Sequence, residues 1–134
     1  EGTTQLQVVA ALRYITNSTY LNIMKEMLER EVSEDMKPLH VRVAKMIELY
    51  EQSLEYVQQA ENQEVLDFLA RRLYDMTADI LMSLLIIGDA TASPELFAKS
   101  AQVYVRYAEE EVIGHSCYVK SFIAEDLVNF RAAE

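Results

Sequence analysis

The opening run Glu1-Gly2-Thr3-Thr4-Gln5-Leu6-Gln7 sets a carboxylate, a glycine and two hydroxyls directly ahead of a helical pattern. Free backbone N–H groups and hydroxyl donors at a helix start make a place where an anion can sit. The acid stands beside that place on a tight turn. Taken alone, the same spacing equally describes an ordinary capped helix.

Other reactive side chains are sparse. His115 falls on the apolar side of its helical pattern, next to Gly114 and four residues after Glu111. Carboxylate-bridged metal bundles use Glu-x-x-His pairs, and neither histidine has one; Lys37 stands three residues before His40. His115 therefore reads as a core or interface residue, and Gly114 as a point of close helix packing, at about 1 kcal/mol against alanine. Cys117 is the single cysteine, without a partner for a disulfide or zinc site. It reads as a packed or half-buried thiol, with no histidine–carboxylate arrangement around it to make a nucleophile. Glu109-Glu110-Glu111 reads as a solvated face from which one acid can pair across an interface. Arg71-Arg72 projects toward solvent or a neighbouring subunit, with phosphate binding the weaker alternative.

Four helical stretches must position these groups. The first starts near Thr3 or Thr4 and carries Val8, Leu12, Ile15, Thr19, Ile23 and Met27 at three- and four-residue spacing, with Asn17-Ser18 able to bend or break it. The polar stretch 29–36 is a connection. The second opens at Lys37-Pro38, where proline suits a first helical turn; its apolar stripe is Leu39, Val43, Met46, Ile47, Tyr50, Leu54 and Val57. Asn62 stops it and caps the third, which runs from Gln63 to a terminator at Gly88. Leu69, Leu73 and Met76 face inward there, and Ile80 to Ile87 is apolar nearly all round, as in a helix enclosed on several sides or lying under a partner. Ser93-Pro94-Glu95 supplies a cap, a first-turn proline and a first-turn acid. The fourth helix follows with Phe97, Ala101, Tyr104, Ala108, Val112, His115, Val119 and Phe122 on one side, and reaches toward Leu127. The expected fold is all-α: an up-down, four-helix-bundle-like domain, with the first helix leaning out of it.

Composition agrees. Only three glycines and two prolines interrupt 134 residues, of which 51% are hydrophobic, so helix is favoured at almost every position. A formal net charge of −10 repels phosphate backbones and anionic headgroups, which argues against nucleic acid and membrane surfaces as partners. The longest nearly unbroken apolar run, Ile80 to Ile87, is far short of the ~20 residues that span a bilayer.

The opening run resembles the Glu-Gly-Thr-(Ser/Thr)-Gln-(Ile/Leu)-Gln signature of the acyl-CoA dehydrogenases, which begins the last helix of their core. Asp67-Phe68-Leu69-Ala70-Arg71-Arg72-Leu73-Tyr74-Asp75-Met76-Thr77-Ala78-Asp79, Phe97-Ala98-Lys99-Ser100-Ala101 and Tyr104-Val105-Arg106 resemble the C-terminal extension of a bacterial subgroup. The first motif is specific to the broad family and the others to the subgroup; together they cover essentially the whole chain.

The resemblance implies that Glu1 is the general base removing the α-proton of an acyl-CoA thioester. The β-hydride passes to FAD, giving a trans-2-enoyl-CoA, as in fatty acid β-oxidation. It implies that Gly2 lies against the acyl-CoA, and that Thr3, Thr4 and Gln5 contact FAD. Residues 1–30 would be the last helix of the dehydrogenase core and its continuation, and residues 31–134 the helical C-terminal extension domain. Val8 departs from the pattern, since many relatives carry arginine after the second glutamine. The implied partners are the rest of the dehydrogenase core, acyl-CoA and electron-transfer flavoprotein, in a homo-oligomer of cytoplasmic, bacterial type. No metal is implied. Because most of the flavin pocket belongs to parts upstream of Glu1, the 134 residues alone are expected to be inactive. Composition and periodicity by themselves equally fit a free-standing helical interaction module.

Overall fold

Asn17 breaks the chain's first helical pattern. In a computed structural model that describes residues 15–132, the Asn17 side-chain carbonyl accepts the Thr19 N–H at 2.9 Å, and α1 (Thr19–Leu28) starts afresh. The predicted helical residues Val8 and Leu12 lie outside the described residues. Restarting a helix resets its phase, so the expected stripe does not continue through the break. Ile15 is fully buried, but beyond it Leu21 and Met24 take the inward positions, and Thr19 and Ile23 are exposed.

The polar connection 29–36 is anchored at both ends. It closes in a 3-10 turn (Glu34–Met36) whose Met36 is buried. The Ser33 N–H donates to Thr91 Oγ1 at 3.2 Å. His40 Nε2 lies 2.7 Å from the Leu28 carbonyl; a carbonyl only accepts, so that nitrogen carries the proton.

Three long helices follow. α2 (Lys37–Gln58) has Pro38 in its first turn, and all seven residues of its predicted stripe are buried. α3 (Gln63–Ala92) is capped by Asn62, whose side chain accepts the Glu64 N–H at 2.9 Å. Leu69, Leu73 and Met76 point into the core as expected.

Gly88 does not terminate α3. A glycine ends a helix by taking a left-handed conformation, and no described glycine has positive φ; the helix runs on to Ala92, burying Ile87 and Ala90. What stops it is Pro94, which bars its predecessor from helical geometry; Ser93 sits at φ −140°, ψ 73°.

α4 (Pro94–Ser121) begins where expected. The Ser93 hydroxyl makes no capping bond; its carbonyl instead accepts the N–H groups of Leu96 and Phe97, each at 3.1 Å. Ala101, Ala108, Val112, Val119 and Phe122 are buried, joined by Val105 and Ser116, whereas Phe97 is exposed. α4 also ends sooner than its periodicity implied. Phe122 turns extended at ψ 133°, and Asp126 accepts the Ile123 N–H at 2.9 Å, opening a separate α5 (Ala124–Ala132). An acid three residues into a helix that reaches back to its cap is a start signal.

The pairings fix the directions. Arg42 meets Glu109 and Gln52 meets Lys120, numbers that rise together, so α2 and α4 run parallel. Arg72 meets His115, and Asp79, further along α3, acts on Tyr104, further back on α4. α3 is therefore antiparallel to α4. With α1 laid against α2 and α3, tied by Lys25 to Glu51 at 2.8 Å, the result is the expected all-α up-down bundle. Its core is apolar apart from a few hydroxyls. Ser53 and Ser116 bond across α2 and α4 at 3.0 Å, and the Tyr50 hydroxyl is buried beside Thr77.

Both helical glycines, Gly88 and Gly114, have open space where a Cβ would project. Close packing, the sequence-based reason for Gly114, is therefore not what the fold uses it for. Gly88→Ala and Gly114→Ala should each stabilise by about 0.5–1 kcal/mol, because alanine loses less backbone entropy in a helix. Urea midpoints of the two single variants and the double variant check this, and the gains should add.

Candidate functional site

Glu1, Gly2, Thr3, Thr4 and Gln5, the residues singled out for catalysis and for substrate and cofactor contacts, lie outside the described residues. Among the described residues, titratable groups concentrate along the seam between α3 and α4. Arg72, Asp75 and Asp79 follow one another at three- and four-residue spacing on α3, and Glu111, His115 and Tyr118 do the same on the antiparallel α4. Such spacing keeps side chains on one helical face.

At one end Arg72 is half-buried and turned inward, correcting its expected projection to solvent. Its guanidinium carbon lies 4.0 Å from the centre of the Tyr118 ring, a cation–π distance. Its Nη1 is 3.2 Å from His115 Nδ1. Arginine only donates, so Nδ1 accepts, leaving a neutral ring with its proton on Nε2. That nitrogen faces Glu111 Oε2 at 3.8 Å, too far for a hydrogen bond. Burial lowers the His115 pKa, with help from Arg72 and Arg71 against the opposing pull of Asp75 and Glu111. His115 is thus the core or interface histidine its sequence position implied.

At the other end Asp79 is pushed up to about 6, first by burial and then by Glu111 and Asp75. Asp75 is paired to Arg71 at 3.4 Å; among the described residues no cation reaches Asp79. Since its native pKa is above the unfolded value, ionised Asp79 costs the fold stability above pH 6, and that cost fades as pH falls toward 4. Two units correspond to roughly 3 kcal/mol at most, and partial solvent exposure screens this to about 1 kcal/mol. Asp79→Asn should therefore raise the melting temperature at pH 7 by several degrees, with the advantage shrinking between pH 6 and 4.

The seam holds no evident nucleophile. Cys117 is exposed, not packed as its position implied, and no three metal-ligating side chains come together among the described residues. Glu109 pairs within the chain, to Arg42 at 3.1 Å. The concave sites lie elsewhere. One sits at the α2–α3 turn, lined by Tyr56, Asn62, Val65 and Phe122; the Tyr56 hydroxyl donates to the Phe122 carbonyl there, and Phe68 stacks on Phe122 at 5.2 Å. Another lies beneath the 29–36 connection, between Met27, His40 and Leu85. Neither is lined by Asp79. No described helix is long and apolar enough to cross a membrane.

Residues 16–127 match the family model described as acyl-CoA dehydrogenase C terminal. The match begins where Asn17 interrupts the helix. The chain is also similar to the crystal structure of an acyl-CoA dehydrogenase family protein from Porphyromonas gingivalis. The two are 35% identical over 85% of this chain and 98% of that one, with a TM-score of 0.78. No curated protein matches the chain.

Proposed function

The chain belongs to the acyl-CoA dehydrogenase C-terminal family, and from that membership we propose that it is the C-terminal helical domain of an FAD-dependent acyl-CoA dehydrogenase, placed to buttress the catalytic core. The observation that carries this is the family match over residues 16–127, with the Glu1-Gly2-Thr3-Thr4-Gln5-Leu6-Gln7 run that resembles the dehydrogenase signature a short way upstream of it. Residues 1–30 are then the last core helix and its continuation, with the Asn17 break inside them, and residues 31–134 are the extension.

In this reading Glu1 takes the α-proton of the acyl-CoA. A carboxylate desolvated against flavin and thioester has a raised pKa and is a competent base. The Glu1 backbone N–H polarises the thioester carbonyl as the enolate forms, and Gly2 lets the acyl chain approach. Thr3, Thr4 and Gln5 hold FAD at the helix start; when bound, FAD accepts the β-hydride. The product is a trans-2-enoyl-CoA, and the parent, a homo-oligomer, passes its electrons to electron-transfer flavoprotein. The described residues act structurally, so the isolated chain should neither retain FAD nor oxidise acyl-CoA. Flavin content after gel filtration, compared between this chain and the polypeptide that includes its preceding sequence, tests the reading. A shared lack of flavin would defeat it.

A further inference from the structure

The segment Tyr104-Val105-Arg106 has no part in the function proposed above, and it delivers Arg106 to a groove between α2 and α4. That groove, of about 350 Å³, is lined by Pro38, Leu39, Arg42, Gln102, Val103 and Arg106. Pro38 and Arg42 on α2, like Gln102 and Arg106 on α4, are four residues apart, which keeps each pair on one helical face. A direct contact supports the placement. Arg42 Nη1 is 3.1 Å from Glu109 Oε1, and Glu109 follows Arg106 by three residues on the same helix.

The charge of this groove runs against that of the chain. The sequence holds 22 acidic against 12 basic residues, yet no acid lines the groove and two arginines do. Arg42 gives one arm to Glu109, leaving its other donors for the groove. Arg106 is exposed and makes no ion pair or hydrogen bond among the described residues. Two guanidiniums facing one small space repel each other unless an anion sits between them.

We propose that this α2–α4 groove binds the phosphate group of a small organic phosphomonoester. A carboxylate has two oxygens and saturates one arginine fork, whereas a phosphate can take donors from both forks and from the Gln102 amide. A phosphomonoester also carries close to two negative charges at neutral pH, matching two cations. Its organic part lies on Pro38 and Val103, both exposed. An extended polyanion would run on to Glu48 and Glu109, which line the next groove along with Arg42, so the site suits an isolated phosphate.

The probes are phenyl phosphate, inorganic phosphate and benzoate, each titrated into this chain at constant ionic strength while the Val103 methyl and Gln102 side-chain amide resonances are followed. Phenyl phosphate should shift both resonances and saturate. Inorganic phosphate should bind about threefold or more weaker, because it leaves the apolar wall uncovered, and benzoate about tenfold or more weaker. Arg106→Gln should weaken phenyl phosphate about tenfold or more, the loss of a bidentate charge-assisted contact, with the melting temperature unchanged. Arg106→Lys, which keeps the charge without the fork, should fall between. Arg71→Gln, which removes a cation paired to Asp75 on α3, should leave binding as it was. The proposal is overturned if the shifts do not saturate, if benzoate binds as well as phenyl phosphate, or if Arg106→Gln binds equally well. An equal loss in Arg71→Gln would also overturn it, since general charge would then be the cause. Equal binding of inorganic phosphate would overturn the organic part of the ligand.

Discussion

Glu1→Gln, in the polypeptide that carries this chain behind its flavin-binding body, is expected to lower acyl-CoA turnover by about 1,000-fold or more while leaving FAD content and melting temperature unchanged. A positioned general base is worth roughly 10²–10⁴-fold, and the amide keeps the shape and polarity of the side chain while removing its capacity to accept the α-proton. Glu1→Asp keeps a carboxylate one methylene short of its target, so it should fall between the two. Because misplacement by about 1 Å is itself expensive, even this variant should lose much of the rate. Steady-state kinetics with a reporter electron acceptor read all three. Turnover in Glu1→Gln within a small factor of the parent would remove Glu1 from the chemistry. Loss of flavin from the variant would mean that it acts on binding instead.

Leu73→Ala is expected to cost about 2–5 kcal/mol, the range for truncating a fully buried leucine whose surroundings relax only partly. Leu73 is completely buried on α3, the helix that contacts both α2 and α4, so the cavity would open in the centre of the bundle. Against a typical total of roughly 5–15 kcal/mol, that is enough to populate the unfolded chain under mild denaturant. Leu85→Ala, on the same helix but about half exposed, should change stability by less than about 0.5 kcal/mol. Urea unfolding of the two variants measures the contrast. Similar losses at both positions would mean that α3 is not oriented as described.

The bundle was legible because helices of this length repeat their apolar residues often enough to overdetermine a face. Every stripe residue read on α2 is buried, and Asn62 caps α3 through the bond its type implies. What periodicity could not carry was phase across an interruption. Asn17 offered the backbone a local bond, and everything after it rotated by an amount no spacing rule supplies. Gly88 failed as a stop for a related reason: glycine permits a left-handed turn but does not demand one, whereas Pro94 does restrict Ser93. The signal for ending α4 was present in Ile123-Ala124-Glu125-Asp126, yet an apolar stripe running on to Leu127 outweighed it.

The seam was harder to foresee. Nothing in the pair Arg71-Arg72 says that one arginine will salt-bridge on the surface while the other lies over Tyr118; that depends on which residue of the antiparallel helix arrives opposite. The isolation of Asp79 follows from the same register, since its neighbours across the seam are an acid and a tyrosine. The opening run was legible as a motif from its residue types and order, and its chemistry is assigned by resemblance.

The central claim is that this bundle buttresses a flavin site whose base is Glu1. The most direct measurement mixes acyl-CoA anaerobically with the polypeptide extended through its preceding sequence and follows the visible absorbance of its flavin. The account predicts rapid bleaching with stoichiometric enoyl-CoA, and no flavin at all in the 134-residue chain alone. A polypeptide that carries no flavin, or whose flavin stays oxidised with every acyl-CoA offered, would contradict it.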